Sequence, residues 1–119
     1  MPSYTKEKLS GCTNGKQIHI DGTTAGAAVT IHTAQAGTTY FDEVWVYATN
    51  NDTTPVVLTI LFGGTGDPDD YITVTIPSKR GLYLVVPGLI LQNSLIVKAF
   101  AGVADKISIS GFVNRVSAG

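Results

Sequence analysis

Apolar and polar side chains alternate along stretch after stretch of this chain, and apolar residues almost nowhere recur at helical spacing. Residues 40–49 are a long instance. Val44, Val46 and Ala48 fall on one side, Trp45 and Tyr47 on the other, as the two-residue period of a β-strand requires. A chain patterned this way buries one face of each strand, so its fold must stack strands in layers.

Further strands are read at 17–21, 27–33, 56–62, 71–76, 82–86, 94–101 and 106–116. In 27–33, Val29 and Ile31 share one face while Thr30 and His32 share the other. Val56, Leu58, Ile60 and Phe62 share a face, as do Ile72, Val74 and Ile76. Ile107, Ile109, Gly111 and Val113 do the same in the last strand. Turn chemistry separates the strands: Asn50-Asn51-Asp52, the Gly- and Asp-rich 63–70, Pro77 and Pro87-Gly88. Pro87-Gly88 is read as breaking its strand, with 89–91 a kinked continuation. About eight strands at this spacing indicate an all-β, jelly-roll-like antiparallel β-sandwich, with an immunoglobulin-like sandwich as the other candidate. With 119 residues the chain has room for one such domain, read as 13–119.

The charged share is 14%, against about 25% in ordinary domains. Neutral Thr, Ser, Asn and Gly must therefore cover the surface, a composition compatible with part of it being covered by a partner. The eight Lys and Arg residues are scattered and the net charge is −1, which argues against a phosphate-backbone partner. No apolar run is long enough for a signal peptide or a membrane-spanning helix, so the chain reads as made and folded in a cytoplasm with no membrane partner. Cys12 stands alone, so no internal disulfide is available.

Catalytic patterns are weak throughout. His19 and Asp21 project to one side of a strand, and with His32 they resemble the facial triad of non-haem iron oxygenases. His32 follows Asp21 far too soon for that pattern, so both histidines are read as ordinary strand-surface residues. Asp67, Asp69 and Asp70 share a loop, but their spacing departs from the EF-hand pattern, and the loop is read as a solvated turn. Asp42 and Glu43 are strand neighbours facing opposite ways, so they cannot work as a glycosidase pair. No Gly-x-Ser-x-Gly elbow or phosphate-cradling loop is present. The chain is read as no enzyme, with no cofactor and no metal.

Residues 1–12 are polar and unpatterned, and are read as an N-terminal arm extended from the sandwich. Strand-borne aromatics can anchor a protein interface or stack on sugar rings. The candidate partner-contact residues are Tyr4, Lys6 and Lys8 of the arm, with Trp45, Tyr47 and Tyr83 of the strands. Deleting residues 1–10 is expected to spare the fold and abolish attachment to a partner.

One resemblance is more specific. Val86-Pro87-Gly88-Leu89-Ile90-Leu91-Gln92-Asn93-Ser94-Leu95-Ile96-Val97 is followed by the closing strand Ile107-Ser108-Ile109-Ser110-Gly111-Phe112-Val113. This ending resembles that of small β-sandwich virion proteins of tailed bacteriophages, most of all the capsid decoration or cement proteins. Residues 44–51 and 56–64 fit the same pattern, while 1–38 carry no matching motif. The resemblance implies a non-enzymatic structural protein on the capsid exterior, a homo-oligomer (dimer or trimer) bridging major capsid protein subunits. The other implied role is a receptor- or glycan-binding module of a phage tail or fibre.

The alternation places Val97 on a core face. Val97→Asp buries an unpaired charge and is expected to cost roughly 3 kcal/mol or more. A urea midpoint equal to that of the parent chain would show that the faces of this strand are assigned backwards.

Overall fold

In a computed structural model, which describes residues 4–117, the chain forms nine strands and one short 3-10 turn at Ala25–Ala27. The strands are β1 (Tyr4–Lys8), β2 (Ile18–Ile20), β3 (Val29–Thr33), β4 (Tyr40–Asn50), β5 (Val56–Phe62), β6 (Tyr71–Ile76), β7 (Tyr83–Leu91), β8 (Ile96–Ala101) and β9 (Ile107–Ser117). Met1–Ser3 of the expected arm and the last two residues of the expected domain lie outside the described residues.

The architecture follows from four nested antiparallel pairs: β5 with β6, β4 with β7, β3 with β8 and β2 with β9. Together these make one long double-stranded ribbon. Rolling the ribbon brings β9 against β4 and β8 against β5. The result is two sheets, ordered β2-β9-β4-β7 and β3-β8-β5-β6. That order is the jelly roll, and it sets the immunoglobulin-like alternative aside.

Between the sheets lies the apolar core expected from the alternation. Val44, Val46 and Ala48 of β4 meet Leu58 and Ile60 of β5, Val97 and Ala99 of β8, and Ile107, Ile109 and Val113 of β9, all buried. Where β4 ends, Asn50 is buried and organises the following turn. Its Nδ2 donates to the Thr54 and Ile76 carbonyls, at 3.1 and 2.9 Å, and its Oδ1 accepts from the Asp52 amide at 2.8 Å.

Three local expectations change. First, residues 4–8 are not a free arm. They pair with residues 112–116 of β9, on the edge of β9 that β2 occupies further along. A side chain pattern could not reveal β1, because it is exposed on both faces apart from half-buried Glu7. Its strand character comes from the otherwise unpaired backbone of β9. Beyond β1 the chain crosses to the other sheet. Leu9 enters the core and Gly11 N–H donates to the Ile31 carbonyl at 2.8 Å. Gly11 is required there, since a Cβ would run into the Thr30 and Ile31 carbonyl oxygens.

Second, Pro87-Gly88 does not break β7. The strand lies at the sheet edge, where a proline leaves no ladder bond unmade, and two register shifts against β4 absorb the extra residues. Third, His32 is not a surface residue. A register shift between Thr30 and His32 leaves Ile31 as the extra residue, so Ile31 and His32 both turn inward and His32 sits opposite Val97.

Leu9 also corrects the deletion expectation. Removing residues 1–8 takes away an edge strand that places no side chain in the core. Removing 1–10 also takes out Leu9, at an added cost of about 3 kcal/mol. Urea denaturation of the two truncations checks this. Equal midpoints would show that Leu9 contributes nothing to the core.

Candidate partner interface

Cross-strand register decides which side chains share the outer face of the sheet containing β4. Lys8 pairs with Phe112 and Lys6 with Asn114. Phe112 pairs with Trp45 and Asn114 with Glu43, while Tyr47 lies two residues along from Trp45. Five of the six candidate residues, Tyr4, Lys6, Lys8, Trp45 and Tyr47, therefore lie on one face. Tyr83 does not join them. It lies opposite Ala48, half-buried and packed against the core.

The centre of this face is a row of interlocking contacts. The Trp45 and Phe112 rings are nearly parallel, 14° apart, with centroids 6.2 Å from each other. Lys6 Nζ sits 4.3 Å from the Phe112 centroid, within cation–π range. The indole reaches over Gly88, where a Cβ would come within 2.9 Å of Trp45 Cζ2. Trp45 Nε1 donates to Glu43 Oε1 at 2.7 Å, and Asn114 Nδ2 donates to the same oxygen at 3.1 Å. The Trp45 bond foremost, then that of Asn114, holds the Glu43 carboxyl below its ordinary range. Leu84, opposite Tyr47, and Ile90, opposite Glu43, extend the face with 42% and 60% of their surface exposed. Sequence reasoning missed Phe112, Glu43, Asn114, Leu84 and Ile90, because only the register says that they adjoin Trp45.

On the inner side, where β4 and β9 begin and end, lies a buried ionic cluster. Asp42 Oδ1 accepts from Arg115 Nε at 2.8 Å. Asp42 Oδ2 accepts from Arg115 Nη2 at 3.1 Å, from His32 Nε2 at 2.7 Å and from the Gln35 amide at 3.3 Å. Burial by itself would push the Asp42 carboxyl up. The hydrogen bonds of Arg115 and His32 outweigh it and hold the carboxyl below its ordinary 3.8. The same contact with Asp42 raises the Arg115 guanidinium. Beside Arg115 a cleft of about 250 Å³ opens, lined also by Tyr4, Thr5, Gln35 and Tyr40.

The other sequence candidates are dispersed. His19 is exposed and pairs with Asp105 at 2.8 Å, while His32 lies across the sandwich in the other sheet. His19, Asp21 and His32 therefore do not converge. Asp70 spends its carboxylate on its own loop, accepting the Gly66 amide at 2.9 Å. Cys12 is half-buried, and its Sγ accepts the Gly15 amide at 3.3 Å. Among the described residues no three His, Cys, Asp or Glu side chains gather as a metal site would require.

No protein-family model matches the chain, and no curated protein matches it. Two solved structures do. One is a chain of the T13 particle of infectious bursal disease virus, at 11% identity and a TM-score of 0.50, covering 98% of this chain. The other is from the Gt strain of the same virus, at 13% identity and a TM-score of 0.46, also covering 98%. The present chain spans about a third of those chains, 31% and 33%. The likeness is one of fold: this sandwich has the form of a β domain found in a viral particle.

Asp42 makes the fold acid-sensitive in a defined direction. Its folded pKa lies below its unfolded one, so its stabilisation is complete above about pH 3.9 and is lost as pH falls through the folded value. Asp42→Asn leaves Arg115 without its partner and is expected to cost about 3 kcal/mol at neutral pH, with a flatter acid limb. Urea midpoints at pH 7 and pH 3 measure both. A variant that loses stability in acid as steeply as its parent would assign the acid limb to other carboxylates.

Proposed function

We propose that this chain is a non-enzymatic structural protein of a tailed-phage virion. It coats the outside of the capsid and cements the shell by bridging major capsid protein subunits. The observation that carries this reading is the outer face of the β4 sheet. There a rigid sheet presents Trp45, Phe112 and Tyr47 flanked by Lys6 and Lys8, with Leu84 and Ile90 exposed beside them. Aromatic and aliphatic anchors ringed by polar groups are the composition of protein contact sites. The likeness of the C-terminal half to decoration proteins, and a fold shared with a viral particle chain, support the same reading.

A protein that binds only the assembled lattice stabilises it by linkage, and copies joined as dimers or trimers would multiply weak contacts. The fold needs no chemistry for this role, and no cofactor or metal is invoked. A second reading draws on the parallel Trp45 and Phe112 rings with Glu43 and Asn114 beside them. It is a receptor- or glycan-binding module of a phage tail or fibre.

Co-sedimentation with assembled empty shells, against free capsid subunits, tests the proposal. Saturable pelleting with shells alone is the expected result. Trp45→Ala combined with Lys6→Ala is expected to weaken it at least tenfold, or about 1.4 kcal/mol. No pelleting of the folded parent would discard the cement role and favour the glycan reading.

A further inference from the structure

His32 has 1% of its surface exposed, yet both ring nitrogens are engaged. Nδ1 lies 3.0 Å from the Ser10 backbone nitrogen, which has a hydrogen to give, so Nδ1 accepts and carries no proton. The single ring proton therefore sits on Nε2, which donates to Asp42. Ser10 is itself a fastening point, because its Oγ accepts the Thr33 amide at 2.7 Å. Ser10 immediately follows Leu9 at the end of β1. β1 itself buries no side chain in the core, so it is held by the ladder with β9 and, just beyond its end, by Leu9 in the core and by this fastening.

The charged groups around His32 can be named from each neighbouring element. Asp42 faces it from β4. Arg115 of β9 neutralises Asp42, and Glu7 of β1 acts on Arg115. From β8 its partner is the uncharged Val97, and Lys98 lies opposite Thr30. The Asp42–Arg115 bonds do not pass through the imidazole, so Asp42 keeps a partner whatever His32 does.

We propose that His32 is an acid-sensitive fastener of the N-terminal strand: a second proton on its ring, at Nδ1, expels the Ser10 amide and loosens β1 from β9. Two N–H groups would then face each other across 3.0 Å. The ring cannot flip to escape, because the new N–H would still face the same donor. Linkage makes the effect reciprocal, so release of Ser10 favours the doubly protonated ring. Loosening β1 lifts Lys6 from Phe112 and frees residues 112–116 of β9 as a pairing edge. This device rests on the fold alone and is independent of the capsid reading.

Amide hydrogen exchange of residues 4–10, compared with β5 at about pH 7.5 and about pH 5, reads the fastening. Protection of Tyr4–Lys8 and Ser10 is expected to fall roughly tenfold in acid while β5 is unchanged. In His32→Asn the side chain oxygen takes the place of Nδ1 and cannot be protonated, so protection should no longer depend on pH. An equal acid loss in that variant overturns the proposal. If the variant does not fold, nitrogen NMR of the parent's His32 ring decides. The Ser10 amide resonance must move as the ring gains its second proton. A ring that titrates while Ser10 and β1 stay still, or that stays singly protonated until global unfolding, overturns the proposal.

Discussion

The antiparallel pairing of β4 with β9 is the constraint on which the rest of this structure hangs. It runs without a break from Tyr40 opposite Ser117 to Asn50 opposite Ile107. Every second pair points inward, and these supply Val44, Val46, Ala48, Ile107, Ile109 and Val113 to the core. The intervening pairs point outward and set Trp45 beside Phe112 and Glu43 beside Asn114. One ladder thus builds the core and the candidate interface together. A slip by one residue would exchange them, placing Trp45 and Glu43 inside and Val44 outside. The apolar inner face is what forbids that slip.

The same ladder places a buried ion pair at its end, with Asp42 opposite Arg115. Buried carboxylates are costly unless their oxygens are satisfied. Here both are, by Arg115, His32 and the Gln35 amide, and no buried side chain polar atom among the described residues lacks a partner. The cluster also joins the layers. Asp42 and Arg115 belong to one sheet and His32 to the other, so the bond between His32 and Asp42 spans the sandwich where the apolar core gives out. Ser10 continues the chain of bonds into the N-terminal segment.

The low charge content has a structural counterpart in the outer surface. With few ionic side chains available, the β4 sheet covers its outer face with aromatic and aliphatic groups, and Lys6 serves by lying over a ring. Leu84 and Ile90 of the edge strand β7 belong to the same surface.

Strand existence and facing were legible in the sequence wherever alternation was strict. The bounds of β5 and β6 were read as they stand, and the residues read as sharing a face in β4 and in β9 do share one. The physical reason is that a half-buried strand writes its two faces into adjacent residues. What tertiary structure alone decided has a different cause in each case. β1 exists because β9 is long enough to leave an edge unpaired, a fact about another part of the chain. His32 turns inward because a bulge shifts β3 by one residue, which no local pattern encodes. Tyr83 parts from Trp45 and Tyr47, and Phe112 joins them, because register is settled across strands far apart in sequence. Residue chemistry determined that this chain would be a two-layered β fold and most of the side chains that would fill it, but not Leu9, His32 or Asp42. Pairing between distant strands, through nested hydrogen bonds and the shared core, decided which surface residues became neighbours.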